Sequence, residues 1–499
     1  MLGCCLSRTD KSRRELEHYF APYREQTLGN HARFQTPYGV RRILYADWAA
    51  SGRLYGPIER KLQTEFMPYA ANTHSEATYT GALMTTAYRE AKARIKQHIH
   101  AGEDDLLLFC GNGMTAAVAK LQRLLGIKLP SGFRGAVDVA PEQRPVVFVT
   151  HMEHHSNQIS WKECLADVIV LEPDENGLAS SENLEAELVR FADRPLKLGA
   201  FTACSNVTGV MPKLGALAKV MHRHGGMVFA DWTAFAPYAE LDMHPDDPEE
   251  GLDAVYFSPH KFLGGPGASG VLAVHARLVN GEIPDLPGGG TVLWTDRWGG
   301  VTYLEEKEER EDGGTPGFLQ AAKAAFAISL KEEMGISELC EREGQLTELL
   351  LNGLDTLPGI HILDSALQER LPIVSFLCRD LHYPLVVRLL NDRYGIQSRG
   401  GCSCAGTYGH FLFGLSPEES ERIRRKVESG HLLEKPGWVR LSLHPIVSDE
   451  EVHALLRAMR EIVHYAPLWK TDYRYDPVQN DYVHKGQWNR TTKRNWFSL

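Results

Sequence analysis

The chain has 499 residues, 43% hydrophobic and 24% charged, an ordinary balance for a well-cored globular protein of several domains. Its formal net charge of −10 argues against nucleic acid as a partner, because phosphate binding needs a basic surface. No apolar run approaches the ~20 residues that span a bilayer, so no membrane partner is expected, and nine scattered cysteines do not form a disulfide framework. The start, "MLGCCLSRTDKSRRELE", lacks the apolar core of a secretory signal, and a reducing cytoplasm is the expected location.

Between about residues 90 and 275, apolar runs alternate with amphipathic stretches. The runs are "DLLLFC" (105–110), "PVVFVT" (145–150), "DVIVLE" (167–172), "LKLGAFTAC" (196–204), "GGMVFAD" (225–231), "LDAVYFS" (252–258) and "GVLAVH" (270–275). Helix candidates such as "MTAAVAKLQRLLG" (114–126) and "LGALAKVMHRHG" (214–225) lie between them. Continuous apolar strands separated by helices predict an α/β domain with a mostly parallel sheet covered on both faces. Further on, "LPIVSFLC", "YPLVVRLLNDRYGI", "GWVRLSLHP" and "SDEEVHALLRAMREIVHYA" predict strand, helix, strand and helix, the last opened by a capping box of Ser448 and Glu451. The expected organisation is an N-terminal segment (1–42), a large α/β domain (43–325), a small α+β domain (326–466) and a tail (467–499). The aromatic, aperiodic tail fits a segment that wraps the surface or a partner subunit.

Polar clusters follow five of the predicted strands, and in open α/β sheets that carboxyl edge is where ligands bind. "GNGMTAA" after the first places Gly111, Asn112, Gly113, Met114 and Thr115 at a helix N-terminus, suited to an anion such as phosphate, or simply to starting a helix. It lacks the GxxxxGK[ST] spacing of a nucleoside triphosphate site. Asp231 ends a very apolar strand and needs a partner there, either a helix cap, a salt bridge or a cationic ring nitrogen. Lys261, 30 residues later, precedes "FLGGPGASG"; a lysine at a strand end among apolar neighbours can lose its proton and form an imine. Phosphate cradle, Asp231 and Lys261 together describe a pyridoxal phosphate site, with His154 stacked on the ring or acting as acid and base. Trp232 and Phe235 are expected around the ring.

A zinc site competes, since "HMEHH" offers His151, His154 and His155, and Cys402 and Cys404 are soft ligands, but the spacing matches no established motif, and no metal is assigned. The stretch "SRGGCSCAGTYGH" (398–410) allows a disulfide, a metal clip, a reactive thiol or a tight turn. A ring closed by Cys402 and Cys404 would be strained.

These residues resemble the class V, fold-type I pyridoxal-phosphate enzymes, and among them the cysteine desulfurase and selenocysteine lyase group, from about residue 43 to 465. "YADWAASG" (45–52) resembles the family's opening near the substrate carboxylate. "THMEHHSNQISW" (150–161) resembles the segment whose histidine, here His154, stacks on the cofactor. "SNVTG" carries the family asparagine as Asn206, Asp231 matches the pyridinium partner, and "SPHK" matches a box in which Ser258 and His260 touch the phosphate and Lys261 is the Schiff-base lysine. "GGTPG" (313–317) resembles a loop whose threonine, Thr315, reaches the phosphate of the neighbouring subunit, which implies a homodimer. "VRLSLHP" (439–445) puts Arg440 at the carboxylate-binding arginine.

In the opposing loop, Arg399 and "CA" (404–405) keep the desulfurase register. The resemblance implies a catalytic Cys404 that takes the sulfur of a cysteine-type substrate as a persulfide and releases alanine, with Arg399 and Asn206 also at the substrate and a sulfur-acceptor protein as partner. A thiolate in that role needs cationic neighbours, and Arg399 and His410 are the candidates. The sequence departs from the pattern at Ala234, where the family has glutamine, at Met114, where it has threonine, and at Cys402 and Ser403, where it has histidines. The stretch "SPEESERIRRKVESG" (416–430) is longer than desulfurases carry. Other class V reactions on an amino acid (transamination, epimerisation, a different β-elimination) stay open beside desulfuration, as does a zinc hydrolase.

Overall fold

A computed structural model describes residues 11–73, 75–133, 137, 139–367 and 369–486. The seven apolar runs become the strands β1 (Asp105–Cys110), β2 (Val146–Thr150), β3 (Asp167–Leu171), β4 (Lys197–Thr202), β5 (Met227–Asp231), β6 (Ala254–Phe257) and β7 (Gly270–His275). They form one sheet in the order β1-β7-β6-β5-β4-β2-β3. β6, β5, β4, β2 and β3 run parallel, and β7 runs antiparallel to both of its neighbours, β1 and β6. The runs are continuously apolar because both faces are covered. Val146, Phe148, Phe201 and Val228 enter one core, while Val147, Val149, Leu198 and Phe229 enter the other. That two-residue period is the pleat, and each fully buried side chain of this kind stabilises by about 1.5–3 kcal/mol.

The small domain carries β8 (Ile360–Ile362), β9 (Ile373–Cys378), β10 (Arg399–Gly401) and β11 (Trp438–Ser442), antiparallel in the order β8-β9-β11-β10. Leu350 and Leu354 of the helix Ile336–Asp355, and Leu455 and Met459 of the helix Asp449–Trp469, pack into its core. The predicted capping box is present: Ser448 Oγ accepts from the Glu451 N–H and the Glu451 carboxylate from the Ser448 N–H. The helix Phe318–Glu333 runs through residue 326, so the two domains share a continuous element.

The tail is more ordered than its composition suggested. Residues Tyr473–Asp476 and Asp481–His484 form an antiparallel hairpin, and Tyr473 and Tyr482 are buried in the small-domain core. The aperiodic pattern hid this because each short strand buries a single tyrosine. Near the other end, the helix Arg13–Gln26 buries Leu16 and Phe20 against Trp48, Tyr55 and Ile446.

Candidate active site

The carboxyl ends of β1, β2, β4, β5 and β6 open on one cavity of about 230 Å³, closed from the small domain by Arg399, Ser403, Cys404 and Arg440. Met114, Thr115, His154, Asn206, Asp231, Ser258, His260 and Lys261, each singled out in the sequence, line it. Gly113 stands behind the wall as the N-cap of the helix Met114–Leu124. A Cβ there would lie 2.9 Å from Ser258 Oγ and 3.1 Å from His260 Cε1, so glycine is what allows the β1 turn and the "SPHK" turn to meet. Ser258 Oγ accepts from the Met114 N–H at 2.9 Å, and His260 Nδ1 bonds the Asn112 carbonyl at 3.0 Å. Together with the helix dipole, this corner favours an anion.

Electrostatics divide the cavity wall by role. Asp231 is buried, and desolvation raises its pKa, while the Thr233 N–H (2.9 Å to Oδ1) and the charge of Lys261 oppose the rise. Desolvation brings the Lys261 ammonium down to about 8, with the positive charge of Arg440 adding to the fall. His154 falls to about 3, first by burial and then through the charge of Lys261. Its Nδ1 accepts from the Ser156 N–H at 3.1 Å, so the neutral ring carries its proton on Nε2. Beneath Asp231, Glu153 is pushed up to about 8 by burial, although Thr150, Asn157 and Thr202 all donate to it.

The small-domain side is held by Asp47. Its Oδ1 accepts from Arg440 Nη2 at 2.9 Å and its Oδ2 from Arg399 Nε at 3.1 Å. Arg440 Nη1 donates to the Asn206 carbonyl at 2.8 Å, which leaves its buried Nε without a partner. Asn206 Nδ2 in turn donates to the Ser403 carbonyl at 2.7 Å. Residues 402–405 form a tight turn: the Ala405 N–H donates to the Cys402 carbonyl at 3.0 Å, with Ser403 and Cys404 at φ of 50° and 58°. Two non-glycine residues at positive φ make a strained turn, of order 1–3 kcal/mol each, and such strain persists only where the surroundings enforce it. The enforcers are Asn206, Trp438 Nε1 on Ser403 Oγ (3.2 Å), and His155, whose N–H donates to the Cys404 carbonyl (2.7 Å) and whose Nε2 accepts from the Gly406 N–H (2.8 Å). Cys402 and Cys404 are both free thiols, Cys404 exposed and Cys402 half-buried.

Two expectations need correction. His410 does not neighbour Cys404: its Nδ1 bonds the Gly406 carbonyl and its Nε2 the Ser420 hydroxyl, because residues 406–413 are helical and turn the ring away. Trp232 and Phe235 are buried in the core; Thr233 and Ala234 reach the cavity instead. The histidines of "HMEHH" diverge: His151 bonds the Gly177 carbonyl, His154 faces the cavity and His155 clamps the cysteine loop. Among the described residues no three His, Cys, Asp or Glu side chains stand at metal-binding spacing. Thr315, expected to serve the phosphate of a neighbouring subunit, is exposed and does not line this chain's own cavity. Sequence reading missed Asp47, Glu153 and the clamp role of His155. Each lay inside a quoted motif, but only the meeting of two distant segments reveals what it touches.

The donor set fits pyridoxal phosphate. A carboxylate, an amine and a neutral imidazole face one cavity with an anion corner, and the buried Oγ of Thr233 and Nε of Arg440 lack protein partners.

The model of the aminotransferase class-V family matches residues 44–455, most of the chain, and the chain belongs to that family of enzymes. A probable cysteine desulfurase of Halalkalibacterium halodurans is 27% identical over 374 residues, spanning 73% of this chain and 84% of that one. A probable cysteine desulfurase of Staphylococcus epidermidis is 26% identical over 369 residues, with 73% and 84% covered. Among solved structures, the apo cysteine desulfurase of Thermococcus onnurineus shares the fold with a TM-score of 0.71 at 22% identity, covering 89% of this chain and 98% of that one. The Escherichia coli cysteine desulfurase CsdA gives a TM-score of 0.68 at 20% identity, covering 91% and 99%. The fold-type I architecture expected from the sequence is therefore the one present.

Proposed function

We infer that the chain is a pyridoxal-phosphate-dependent lyase of the cysteine desulfurase kind, which moves sulfur or selenium from a cysteine-type substrate onto Cys404. One observation carries the reading: Cys404 is an exposed thiol on an enforced turn that borders the cavity of Lys261, Asp231 and His154. The likeness to probable cysteine desulfurases supports it.

In this reading Ser258, His260, Gly113, Met114 and Thr115 hold the phosphate, Asp231 faces the ring nitrogen and His154 covers the ring. Pyridoxal phosphate, when bound, supplies an electron sink for bonds broken on the substrate. Lys261 anchors it and moves protons, Arg440 and Arg399 take the substrate carboxylate, and Asn206 aligns both partners. The Cys404 thiolate attacks the substrate sulfur. An S–S bond forms as the C–S bond breaks, and the electron pair stays with carbon, which takes up a proton as the methyl group of alanine.

A homodimer is proposed with it, in which Thr315 serves the phosphate of the second copy. Support comes from the hairpin of Val292–Thr295 and Val301–Tyr303, which exposes Leu293, Trp294, Trp298 and Val301. A cytoplasmic location is proposed with it; no described helix is long and apolar enough to cross a membrane.

Ala234, standing where desulfurases carry glutamine, favours a second reading, another class V reaction such as transamination, epimerisation or a different β-elimination. The test is incubation with cysteine and measurement of alanine and sulfide. Cys404→Ser is expected to abolish both products, and Lys261→Ala to abolish them together with the yellow colour. Alanine formed at the normal rate by Cys404→Ser removes the persulfide step and leaves the second reading, which a screen of amino acids against the bound chromophore then resolves.

A further inference from the structure

A second cavity, of about 530 Å³, lies on the outer side of the cysteine turn. Cys404 borders both cavities, whereas Cys402 borders only the outer one. The turn between them explains this. With Ser403 and Cys404 both at positive φ and the Cys402 carbonyl bonded to the Ala405 N–H, the two thiols share one four-residue turn. The residue between them is tied inward, its carbonyl on Asn206 and its hydroxyl on Trp438.

The walls of this outer cavity come from several segments. One side is Leu432 and Lys435, from the segment that follows the long helix Pro417–Glu428. Another is Asn480 and Asp481, from the C-terminal hairpin, which lies beyond the span matched by the family. Arg388 is neutralised by Asp481 and Arg399 by Asp47, but the Lys435 ammonium, exposed at the rim, makes no ion pair among the described residues. Tyr383, Pro384 and Val387 supply an apolar floor. A volume in the small-ligand range, an apolar floor and a rim cation suit a low-molecular-weight thiol bearing an anionic group.

We propose that Cys402 is a relay thiol, which takes the sulfane sulfur from Cys404 and hands it to a small anionic thiol held in the outer cavity. The proposal rests on the desulfurase reading. The Cys402 thiolate attacks the terminal sulfur of the Cys404 persulfide. A new S–S bond forms at Cys402, the old one breaks, and Cys404 leaves as the thiolate, ready for another substrate. The acceptor thiolate then attacks the terminal sulfur on Cys402, leaves as a persulfide and restores the Cys402 thiolate. Each step exchanges one S–S bond for another, so no oxidant or reductant is needed.

The experiment uses the holoenzyme with cysteine as donor and 2-mercaptoethanesulfonate as acceptor. After one turnover without acceptor, alkylation and peptide fragmentation locate the added sulfur. Wild type is expected to carry part of it on Cys402; Cys402→Ser is expected to hold it on Cys404 and to lose about tenfold in acceptor-dependent turnover, equivalent to about 1.4 kcal/mol. Lys435→Glu, at the cavity rim, is expected to raise KM for 2-mercaptoethanesulfonate about tenfold more than KM for neutral 2-mercaptoethanol, as a lost charge contact would. Sulfur confined to Cys404 in wild type, or full turnover in Cys402→Ser, overturns the relay. Equal KM shifts for the two thiols, or turnover only with a protein acceptor, overturns the small anionic acceptor. No alanine from wild type at all removes the desulfurase reading itself, a distinct outcome from alanine with sulfur confined to Cys404.

Discussion

Arg399 and Arg440 stand directly opposite each other across the antiparallel pair β10 and β11. Like charges in that register repel, and Arg440 is almost wholly buried. Asp47, carried by a segment some 350 residues earlier in the chain, gives one oxygen to each guanidinium. It thereby holds two cations at the mouth of a cavity where a substrate carboxylate is proposed to bind, and leaves the Arg440 Nε free.

Asp47→Asn keeps the shape but drops the charge that pairs the arginines. Steady-state kinetics on the amino-acid substrate should show KM raised about tenfold, some 1.4 kcal/mol. The absorbance of the bound cofactor should change little, because Asp47 does not line the cofactor cavity. Loss of cofactor with KM unmoved would count against this role.

Lys261 must be a neutral amine to take up the cofactor. Burial and then Arg440 bring it down to about 8, so the fraction of neutral amine rises as pH passes upward through about 8. Reconstitution of the apoenzyme, followed by absorbance, should therefore accelerate between pH 7 and 9, the window centred on that value. Arg440→Gln removes a positive neighbour and should move the midpoint upward. An inflection that stays in place would discount the Arg440 contribution.

His155 acts on the thiol loop through two hydrogen bonds, one from its backbone and one to its ring. Burial, with Lys435 nearby, lowers its pKa, which keeps the ring neutral and able to accept from Gly406. His155→Ala should relax the strained turn and cut alanine production about tenfold, near 1.4 kcal/mol, with the chromophore retained. His155→Gln, which can still accept a hydrogen bond, should recover part of the rate.

Glu343 is buried with both carboxylate oxygens unpartnered, and desolvation raises its pKa well above the usual carboxylate range. A raised carboxyl favours the fold below the unfolded-state pKa and progressively loses that contribution as pH rises. Glu343→Leu should thus raise Tm, and by more at pH 8 than at pH 5. The gain at pH 8 should be about 1–3 kcal/mol, the desolvation penalty of an unsatisfied polar group. Calorimetry at the two pH values that finds equal gains would contradict the assignment.

The chain sequence by itself determined the sheet and much of the cavity. A buried parallel strand must be apolar along its whole length, and the residue that ends it must be special if it is charged, so Asp231, Lys261 and the glycine turn at 111–113 were visible one segment at a time. The antiparallel sense of β7 and the tyrosine hairpin at the C-terminus were not visible, because neither leaves a period in a short window. Only the tertiary structure decided which side chains meet. Asp47 on two arginines, His155 on the cysteine turn and the C-terminal hairpin beside the cavity that Cys402 borders are meetings of segments far apart in sequence. Their energies depend on distance and desolvation, quantities that exist only once the chain has folded.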